Sequence, residues 1–439
     1  MTLSYDDLRA LDARHVWHPF TQAGTAKPAI LALGAKGATI FAADGREYLD
    51  MVSSWWVNLH GHANPAIAQA VADQAGRLEQ VIFADFTHEP AARLAHRVCK
   101  RLPGDLNRVF YSDDGSTAVE VALKLAHQYW RNHGQHRNTY IAFEGGYHGD
   151  TAGAMSAGHS SGYFSAWKEM LFPVETVPFP ATWDGDDQVE AKELAALDAI
   201  DLVFAANPDH VSALIIEPLI QGASGMRMCR PDFLRKLEAK VREHGSLLIL
   251  DEVMTGFGRT GDIFACVKSD ITPDLVCLSK GLTGGFLPLS MTVARDGIFE
   301  AFLGQDLSRA FLHGHSYTAN PLGCAAGLAS IDLLEGPACQ QRIKEIGAIH
   351  RQRLDGLKSL ANVAHTRLTG TVAALDVIGG GKGYEATIGP RLKTAFLERG
   401  LLLRPLGNVL YLLPPYCITD AELHRAWDGV DEVLRQLAK

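Results

Sequence analysis

The sequence predicts an α/β fold, with a large domain whose mainly parallel sheet is covered by helices and a smaller α+β domain beside it. Two observations lead to this prediction. The middle of the chain alternates short, wholly apolar runs with a segment whose apolar residues recur at helical spacing, as in parallel strands joined by helices. The last hundred residues instead hold two helical segments with one apolar run between them. A chain of 439 residues has room for both domains.

The first clear helix signal lies in residues 62–80. Asn64 is suited to the N-cap and Pro65 to the first helical position, because a helix start needs a side-chain acceptor and tolerates a missing N–H. Ile67 and Val71 then follow at helical spacing. This segment therefore predicts a helix before the central sheet.

The central sheet is predicted from three apolar runs, residues 213–216, 247–250 and 275–278. Between the first two runs, residues 231–244 place their apolar side chains on one face and end at Gly245, which predicts a helix. A strand, a helix and a second strand, with both strands apolar throughout, form a parallel βαβ unit.

The C-terminal part has a different pattern. A helix around residues 391–398 leads through Gly400 into the apolar run 401–403. Thr419 and Glu422 have the spacing of a capping box, which predicts that a final helix begins there.

Composition excludes several classes of protein. The chain has 41 Lys and Arg against 50 Asp and Glu, a net charge of −9 with no basic cluster, so nucleic acid is not expected as a partner. The N-terminus lacks a signal-peptide pattern, and no apolar run approaches the ~18 residues of a membrane helix. Seven cysteines without a C-x-x-C pair indicate reduced thiols. We therefore expect a cytoplasmic enzyme that does not bind membranes.

A phosphate site is one interpretation of Gly115 and Ser116, which lie between an apolar strand and a helix rich in Ala, Val and Leu. A helix N-terminus offers free N–H groups and the positive end of the helix dipole to an anion. Ordinary N-capping by serine is the alternative.

Asp251 closes the run 247–250, and a carboxylate at the end of a buried strand needs a partner. A metal ion, an arginine or a protonated ring nitrogen would serve. The simpler alternative is an ion pair with Arg259.

Lys280 closes the run 275–278, where partial burial would lower its pKa and favour a Schiff base. A solvated lysine in a turn is the alternative for this residue alone. Together, however, a phosphate cradle, a carboxylate for a pyridinium nitrogen and a Schiff-base lysine are the three contacts that pyridoxal 5'-phosphate requires. Tyr147, between glycines, is placed to stack on the cofactor ring.

At this point the sequence resembles the class III, fold type I, pyridoxal phosphate-dependent aminotransferases over essentially its whole length. Within that family, the paired tryptophans and the Arg404 region resemble the branch that serves biotin biosynthesis. The segments that carry the resemblance are Trp17–Pro19, Ser53–Trp56, Asp114–Ser116, Gly146–Asp150, Asp251–Glu252, Thr255–Gly261, Lys280–Gly285, His313–Gly314, Arg404–Pro405 and Tyr411–Tyr416.

The resemblance implies roles for individual residues. Lys280, Asp251 and Tyr147 would be catalytic, and the cofactor would contact Gly115, Ser116, Tyr147, Asp251, Lys280, His315 and Ser316. Arg404 would take the carboxylate of an oxo-acid acceptor, as bidentate guanidinium binding favours. The substrate pocket as a whole would contain Phe20, Trp55, Trp56, Tyr147, Asp150, Arg259, Gly314 and Arg404. No metal is implied, and the histidine pairs His60/His62 and His313/His315 lack the further ligands of a metal site.

The resemblance also implies partners and domains. His315 and Ser316 would reach the cofactor of a neighbouring subunit, so a homodimer with active sites at the subunit interface is expected, acting on a small oxo-acid and an amine donor. Residues 1–58 would join the small domain, residues 59–334 would form the large cofactor-binding domain, and residues 335–439 the small C-terminal domain.

Two positions depart from the common pattern of the family. Phe20 stands where many members have tyrosine, and His315-Ser316 replaces a Pro-Thr pair. Both changes leave the amine donor open between S-adenosylmethionine, which the resemblance favours, and lysine.

Other functions remain as alternatives. An ω-amino acid:pyruvate transaminase or a diamine transaminase would use the same catalytic residues on another substrate. A mutase or racemase that depends on the same cofactor would share the fold. A protein that binds the cofactor without catalysing a reaction is an alternative from a different functional class. Gly158–Gly162 matches the G-x-S-x-G pattern of hydrolases, but no strong strand precedes it. Gly379–Gly383 resembles a phosphate loop with the wrong spacing.

Overall fold

The computed structural model describes residues 4–161, 164–379, 381 and 386–438. Its helices are α1 Tyr5–His15, α2 Ser53–Trp56, α3 Pro65–Ala75, α4 Glu89–Cys99, α5 Gly115–Asn132, α6 Ala152–Ala157, α7 Val189–Ala206, α8 Pro231–Glu243, α9 Ala265–Ser269, α10 Asp296–Glu300, α11 Pro321–Glu335, α12 Pro337–Leu357, α13 Ile388–Glu398 and α14 Asp420–Leu437.

The strands are β1 Ala32–Lys36, β2 Thr39–Ala42, β3 Glu47–Asp50, β4 Leu106–Ser112, β5 Thr139–Phe143, β6 Glu175–Val177, β7 Val211–Ile216, β8 Ile220–Gln221, β9 Arg227–Met228, β10 Leu247–Asp251, β11 Leu275–Leu278, β12 Ser290–Arg295, β13 Val363–Thr369, β14 Val372–Val377, β15 Leu401–Leu402 and β16 Val409–Leu412.

The main sheet has the order β4-β12-β11-β10-β7-β5-β6. The pairs from β11 to β6 are parallel, whereas β12 runs antiparallel to both β11 and β4. The carboxyl ends of β4, β10 and β11 therefore meet at one edge of the sheet, where ligands of open α/β sheets bind.

Helices cover both faces of this sheet. Leu248 and Leu250 of β10 share a buried cluster with Phe233 of α8, whereas Leu247 and Ile249 share another with α5. Because successive side chains of a strand point to opposite faces, a wholly apolar strand requires this double cover. The predicted α/β class is confirmed.

Two smaller sheets lie outside the main one. The C-terminal sheet has the order β13-β14-β16, and the sheet β1-β2-β3-β15 combines strands from both ends of the sequence. In it, Leu401 and Leu402 pair in parallel with Leu49 and Asp50. This pairing is in line with an N-terminal segment that joins the small domain, while the proposed domain boundaries stay a prediction.

The predicted βαβ unit is present. β7 and β10 are parallel and flank α8, whose Phe233, Leu234, Leu237 and Val241 are buried. The expected capping box of Thr419 and Glu422 opens α14. The helix expected over 62–80 is shorter, since α3 ends at Ala75 and Gly76 follows as its C-cap.

The two glycine-rich alternatives fall partly outside the described residues, since Gly162, Gly380, Lys382 and Gly383 are not described. The segment before Gly158 is helix α6, whereas a hydrolase elbow needs a strand there. Within the described part of the chain, no helix is long and apolar enough to cross a membrane.

Candidate active site

A cavity of about 430 Å³ lies at the carboxyl edge of the main sheet. Charged and aromatic side chains line it, together with glycines that follow three different strands. The lining includes Trp55, Trp56, Gly115, Ser116, Tyr147, His148, Glu217, Asp251, Val253, Thr255 and Lys280. The structure thus brings together the residues that the sequence analysis assigned to a phosphate cradle, a ring-nitrogen partner and a Schiff-base lysine.

The N-terminus of α5 lines one part of the cavity. Asp114 caps this helix through a capping box with Thr117, so Gly115 and Ser116 form its first turn. The Ser116 hydroxyl oxygen accepts the N–H of Asp150 at 3.2 Å, which leaves the Ser116 proton free to donate to an anion. A Cβ at Gly115 would lie 2.7 Å from Val253 Cγ1, so glycine keeps this turn open.

Asp251 is 4% exposed, and its partner is a histidine instead of the arginine offered as the alternative. His148 Nδ1 donates to Asp251 Oδ2 at 2.7 Å, and the Val253 N–H donates to Oδ1 at 3.0 Å. Burial opposes the charge of His148, but the hydrogen bond and charge of Asp251 raise its pKa on balance. These two hydrogen bonds fix the orientation of the Asp251 carboxylate at the cavity, where a cationic ring nitrogen could pair with it.

Lys280 follows β11, is half-buried and lines the cavity. Burial lowers the pKa of its ammonium, although Asp251 and Glu217 oppose this shift. Its backbone has a φ of 41°, which is uncommon for a residue other than glycine. Such backbone angles cluster at functional sites. Its Nζ lies 5.0 Å from the ring centroid of Trp56. A lowered pKa favours the neutral form of the amine, which is the form that makes a Schiff base.

Tyr147 forms one wall, and Glu217 holds its backbone. Glu217 follows β7, and its carboxyl oxygens accept the N–H of Tyr147 and the N–H of Gly222, each at 3.0 Å. Burial raises the pKa of Glu217 to about 7, although His148 opposes this shift. Burial and the nearby Asp150 carboxylate raise the pKa of Tyr147, so its phenol remains neutral.

A second cavity of about 220 Å³ adjoins the first. Trp55, Trp56, Tyr147 and Lys280 line both cavities, and the second also includes Phe20, Asp150, Arg404 and Tyr411. The arrangement places Lys280 between a site for an anionic ring compound and a pocket for a second molecule.

Arg404 supplies positive charge to this second pocket. Its guanidinium carbon lies 4.2 Å from the ring centroid of Trp55, and Phe20 packs on the same tryptophan at 5.7 Å. No acidic side chain within the described ranges forms an ion pair with Arg404. An arginine without a carboxylate partner suits a substrate carboxylate.

Four expected site residues lie elsewhere. Arg259 is 1% exposed, and its guanidinium donates to the carbonyl oxygens of Pro414 and Asn58 at 2.9 and 3.1 Å. Gly314, His315 and Ser316 are not among the residues that line either cavity of this chain. His315 lies beside Asp113, with Nδ1 and Oδ2 3.8 Å apart.

Sequence reasoning missed His148 and Glu217. A signal existed for Glu217, because it follows the apolar run 213–216 just as Asp251 follows its own run. His148 lies inside the glycine-rich segment around Tyr147, but its contact with Asp251 joins residues 103 positions apart.

Comparisons with known proteins agree with this geometry. The family model for class III aminotransferases matches residues 21–434. A protein of Synechococcus elongatus named adenosylmethionine-8-amino-7-oxononanoate aminotransferase is 54% identical over 424 residues, which cover 96% of this chain and 99% of the relative.

Two solved structures are similar over nearly the whole chain. The enzyme of the same name from Methanocaldococcus jannaschii has a TM-score of 0.91 and 32% identity, covering 99% of each chain. An amine transaminase from an uncultivated Pseudomonas species, solved in its PLP-bound form, has a TM-score of 0.88 and 30% identity over 96% of this chain and 98% of that one. With this fold, this site and these relatives, the chain belongs to the class III aminotransferases.

Proposed function

We propose that this chain acts in the cytoplasm and transfers an amino group to 8-amino-7-oxononanoate, forming 7,8-diaminononanoate in biotin biosynthesis. The observation that carries the proposal is that Lys280 lines two adjoining cavities, one with an anion cradle and one with Arg404 at its wall. The names of the relatives support this acceptor and S-adenosylmethionine as the donor.

The residues of the larger cavity fit pyridoxal 5'-phosphate. Gly115 and Ser116 would hold its phosphate, Asp251 its ring nitrogen, Tyr147 one face of its ring and Lys280 its aldehyde. The Thr255 hydroxyl is buried at this cavity without a hydrogen-bond partner in the described part of the chain, as expected where a ligand group belongs. When bound, the cofactor supplies an electron sink for the carbon that loses its proton.

The side chains of this chain would then hold and move protons. Lys280 Nζ, whose pKa is lowered by burial, would take the proton from the carbon that bears the amino group and return it one atom further on. Asp251, oriented by His148, would pair with the ring nitrogen and favour its protonated form. The same groups act in reverse order on the acceptor, so the kinetics are ping-pong.

Arg404 would orient the acceptor through its carboxylate. The stack on Trp55 would hold the planar guanidinium of Arg404 at the wall of the smaller cavity, and Trp56 would offer an apolar surface beside Lys280. Because Arg404 lines the smaller cavity and not the larger one, this contact would favour an acid with a chain between its carboxylate and its reacting carbon.

We further propose that two copies of this chain form a homodimer. Large apolar side chains are exposed in two segments near His315 and Ser316, namely Ile82, Phe86, Leu303, Leu307, Leu312 and Tyr317. Exposed apolar groups of this size favour contact with another protein surface. In such a dimer, His315 and Ser316 would reach the phosphate in the neighbouring subunit.

Single half-reactions test the function and identify the donor. The cofactor-loaded protein is mixed separately with S-adenosylmethionine, lysine, β-alanine and a diamine, and the visible absorbance of the cofactor joined to Lys280 is followed. The proposal predicts that S-adenosylmethionine or lysine bleaches this absorbance and that 8-amino-7-oxononanoate restores it. Bleaching by β-alanine or the diamine alone, without recovery on adding the oxo-acid, would indicate a general ω-transaminase.

A further inference from the structure

The turn that carries the two tryptophans has an unusual backbone. Ser53, Ser54 and Trp56 have φ values of 51°, 62° and 65°, and Ser54 combines its positive φ with a ψ of −101°. Residues other than glycine rarely adopt such backbone angles, and these angles persist only where the surrounding structure enforces them.

The conformation of this backbone determines where the side chains of Trp55 and Trp56 point. Consecutive side chains point to opposite faces of a strand and diverge by about 100° on a helix. Trp55 and Trp56 nevertheless line the same two cavities, with Trp55 against Arg404 and Trp56 against Lys280. The strained turn is what allows two adjacent residues to face one substrate.

Asp50, at the end of β3, holds the turn from inside. It is 0% exposed, its Oδ1 accepts the N–H of Val52 at 3.1 Å, and its Oδ2 accepts the N–H of Ser54 at 2.6 Å. The carboxylate thus fixes two backbone groups on either side of Ser53, whose own hydroxyl donates to the Leu413 carbonyl oxygen at 2.7 Å.

The carboxylate of Asp50 is itself contacted by His62. Its Nε2 lies 2.9 Å from Asp50 Oδ2, and it is the ionisable side chain that contacts this carboxylate directly among the residues described. The backbone of His62 is anchored to Gly37 by two hydrogen bonds, its N–H donating at 2.7 Å and its carbonyl oxygen accepting at 3.2 Å. The imidazole therefore approaches Asp50 from a segment that is fixed independently of the turn.

We propose that Asp50 and His62 are positioning residues for the substrate pocket: the carboxylate–imidazole pair keeps Val52–Trp56 in the conformation that presents both tryptophans. This inference rests on the proposed function for its kinetic consequence, but its structural consequence can be measured without any substrate. Since replacing buried Asp50 risks misfolding, the tests use His62.

The structural test uses 5-fluorotryptophan and ¹⁹F NMR on the cofactor-loaded protein. The chain has seven tryptophans, and Trp55→Phe and Trp56→Phe assign two of the resonances. His62→Leu is expected to shift or broaden these two and leave the others in place, whereas His62→Gln, which retains a donor for Asp50, keeps them near their original positions. The matched control is His244→Leu, which removes a carboxylate–imidazole pair of similar length, 3.0 Å to Asp201, away from the pocket.

The kinetic test separates binding from chemistry. His62→Leu is expected to raise the KM of the amine and of the oxo-acid about tenfold or more, with a much smaller change in kcat, because the walls of the pocket move while Lys280 does not. His62→Gln should restore most of the affinity. Unmoved Trp55 and Trp56 resonances in His62→Leu, or resonances that move while KM stays constant, would overturn the inference. Absence of transamination in the unaltered protein would instead overturn the proposed function and leave the NMR result interpretable.

Discussion

At the scale of single residues, the environment of Lys280 suits the role proposed for it. Burial lowers the pKa of its ammonium, so the amine is neutral more often than a solvated lysine. We expect Lys280→Ala to reduce turnover by at least about a thousandfold, because it loses both the covalent attachment and the proton carrier. The visible absorbance of the bound cofactor should disappear with it.

Lys268→Met is the matched control for this prediction. Burial also lowers the pKa of Lys268, but its ammonium donates to the Thr260 carbonyl oxygen outside the cavity. Normal absorbance and turnover are expected in Lys268→Met. A Lys280→Ala protein that retained either property would contradict the assignment.

Arg404 is the second residue with a direct prediction. Loss of a charge-assisted pair with the acceptor carboxylate should raise the KM of the oxo-acid roughly 10- to 100-fold in Arg404→Ala, with a smaller change in kcat. Arg404→Lys keeps the charge without the planar fork and should give an intermediate value. Initial rates against oxo-acid concentration measure this, and an unchanged KM would place the carboxylate elsewhere.

The chemistry-bearing residues at strand ends could be predicted because a polar residue after an apolar run is a local signal. Asp251 and Lys280 were found in this way, and the structure places both at one cavity. The identity of their partners is not local. His148 reaches Asp251 only through the order of strands in the sheet, and Arg259, the partner expected as the simple alternative, is held by backbone carbonyls instead.

At the scale of elements, local signals predicted helix starts well. Asn64 and Thr419 both cap their helices as expected, because a cap depends on residues within one turn. Strand β12 was not predicted. Its residues Ser290–Arg295 mix polar and apolar side chains, and its antiparallel place between β4 and β11 depends on strands far away in the sequence.

The contact between α12 and α14 gives a prediction on pH. His350 of α12 is buried and accepts the Nε1–H of Trp427 at 3.0 Å, and burial lowers its pKa to about 3. The unfolded chain takes up a proton near pH 6.5, whereas the folded chain does not until much lower pH. The contribution to stability is therefore complete above about pH 6.5 and is lost as the pH falls, by about 3 kcal/mol between pH 7 and pH 4.

His350→Asn tests this directly, because asparagine retains an acceptor for Trp427 but does not titrate. The variant is expected to be less stable at pH 7 and to lose less stability than the unaltered protein on going to pH 4. Urea unfolding at both pH values provides the comparison. Parallel losses in the two proteins would show that His350 is not the group responsible.

At the scale of the whole molecule, the sequence predicted the α/β class because wholly apolar strands need cover on both faces. The pairing of β15 with β3 joins positions about 350 residues apart, so only the folded chain reveals it. The expected contribution of His315 and Ser316 to another subunit likewise concerns an assembly, and it remains a prediction.

Mixed dimers test that contribution. Lys280→Ala and the double variant His315→Ala/Ser316→Ala are each expected to be impaired alone. When the two chains are co-expressed with different tags and the hybrid is purified, one site receives an intact Lys280 and an intact segment from its neighbour. About half of the unaltered activity per dimer should therefore return. If these residues served their own subunit, the hybrid would have no intact site and would stay impaired.

Amination of 8-amino-7-oxononanoate by this chain can be followed by isotope transfer from the donor to the product. The cofactor-loaded protein is given the oxo-acid with S-adenosylmethionine carrying ¹⁵N in its amino group, and in parallel with ¹⁵N-labelled lysine, before mass spectrometry of the product. We predict 7,8-diaminononanoate that contains one ¹⁵N atom from one of these donors, and no product with Lys280→Ala. A diamine without label, or no diamine from either donor while pyruvate is aminated, would contradict the account.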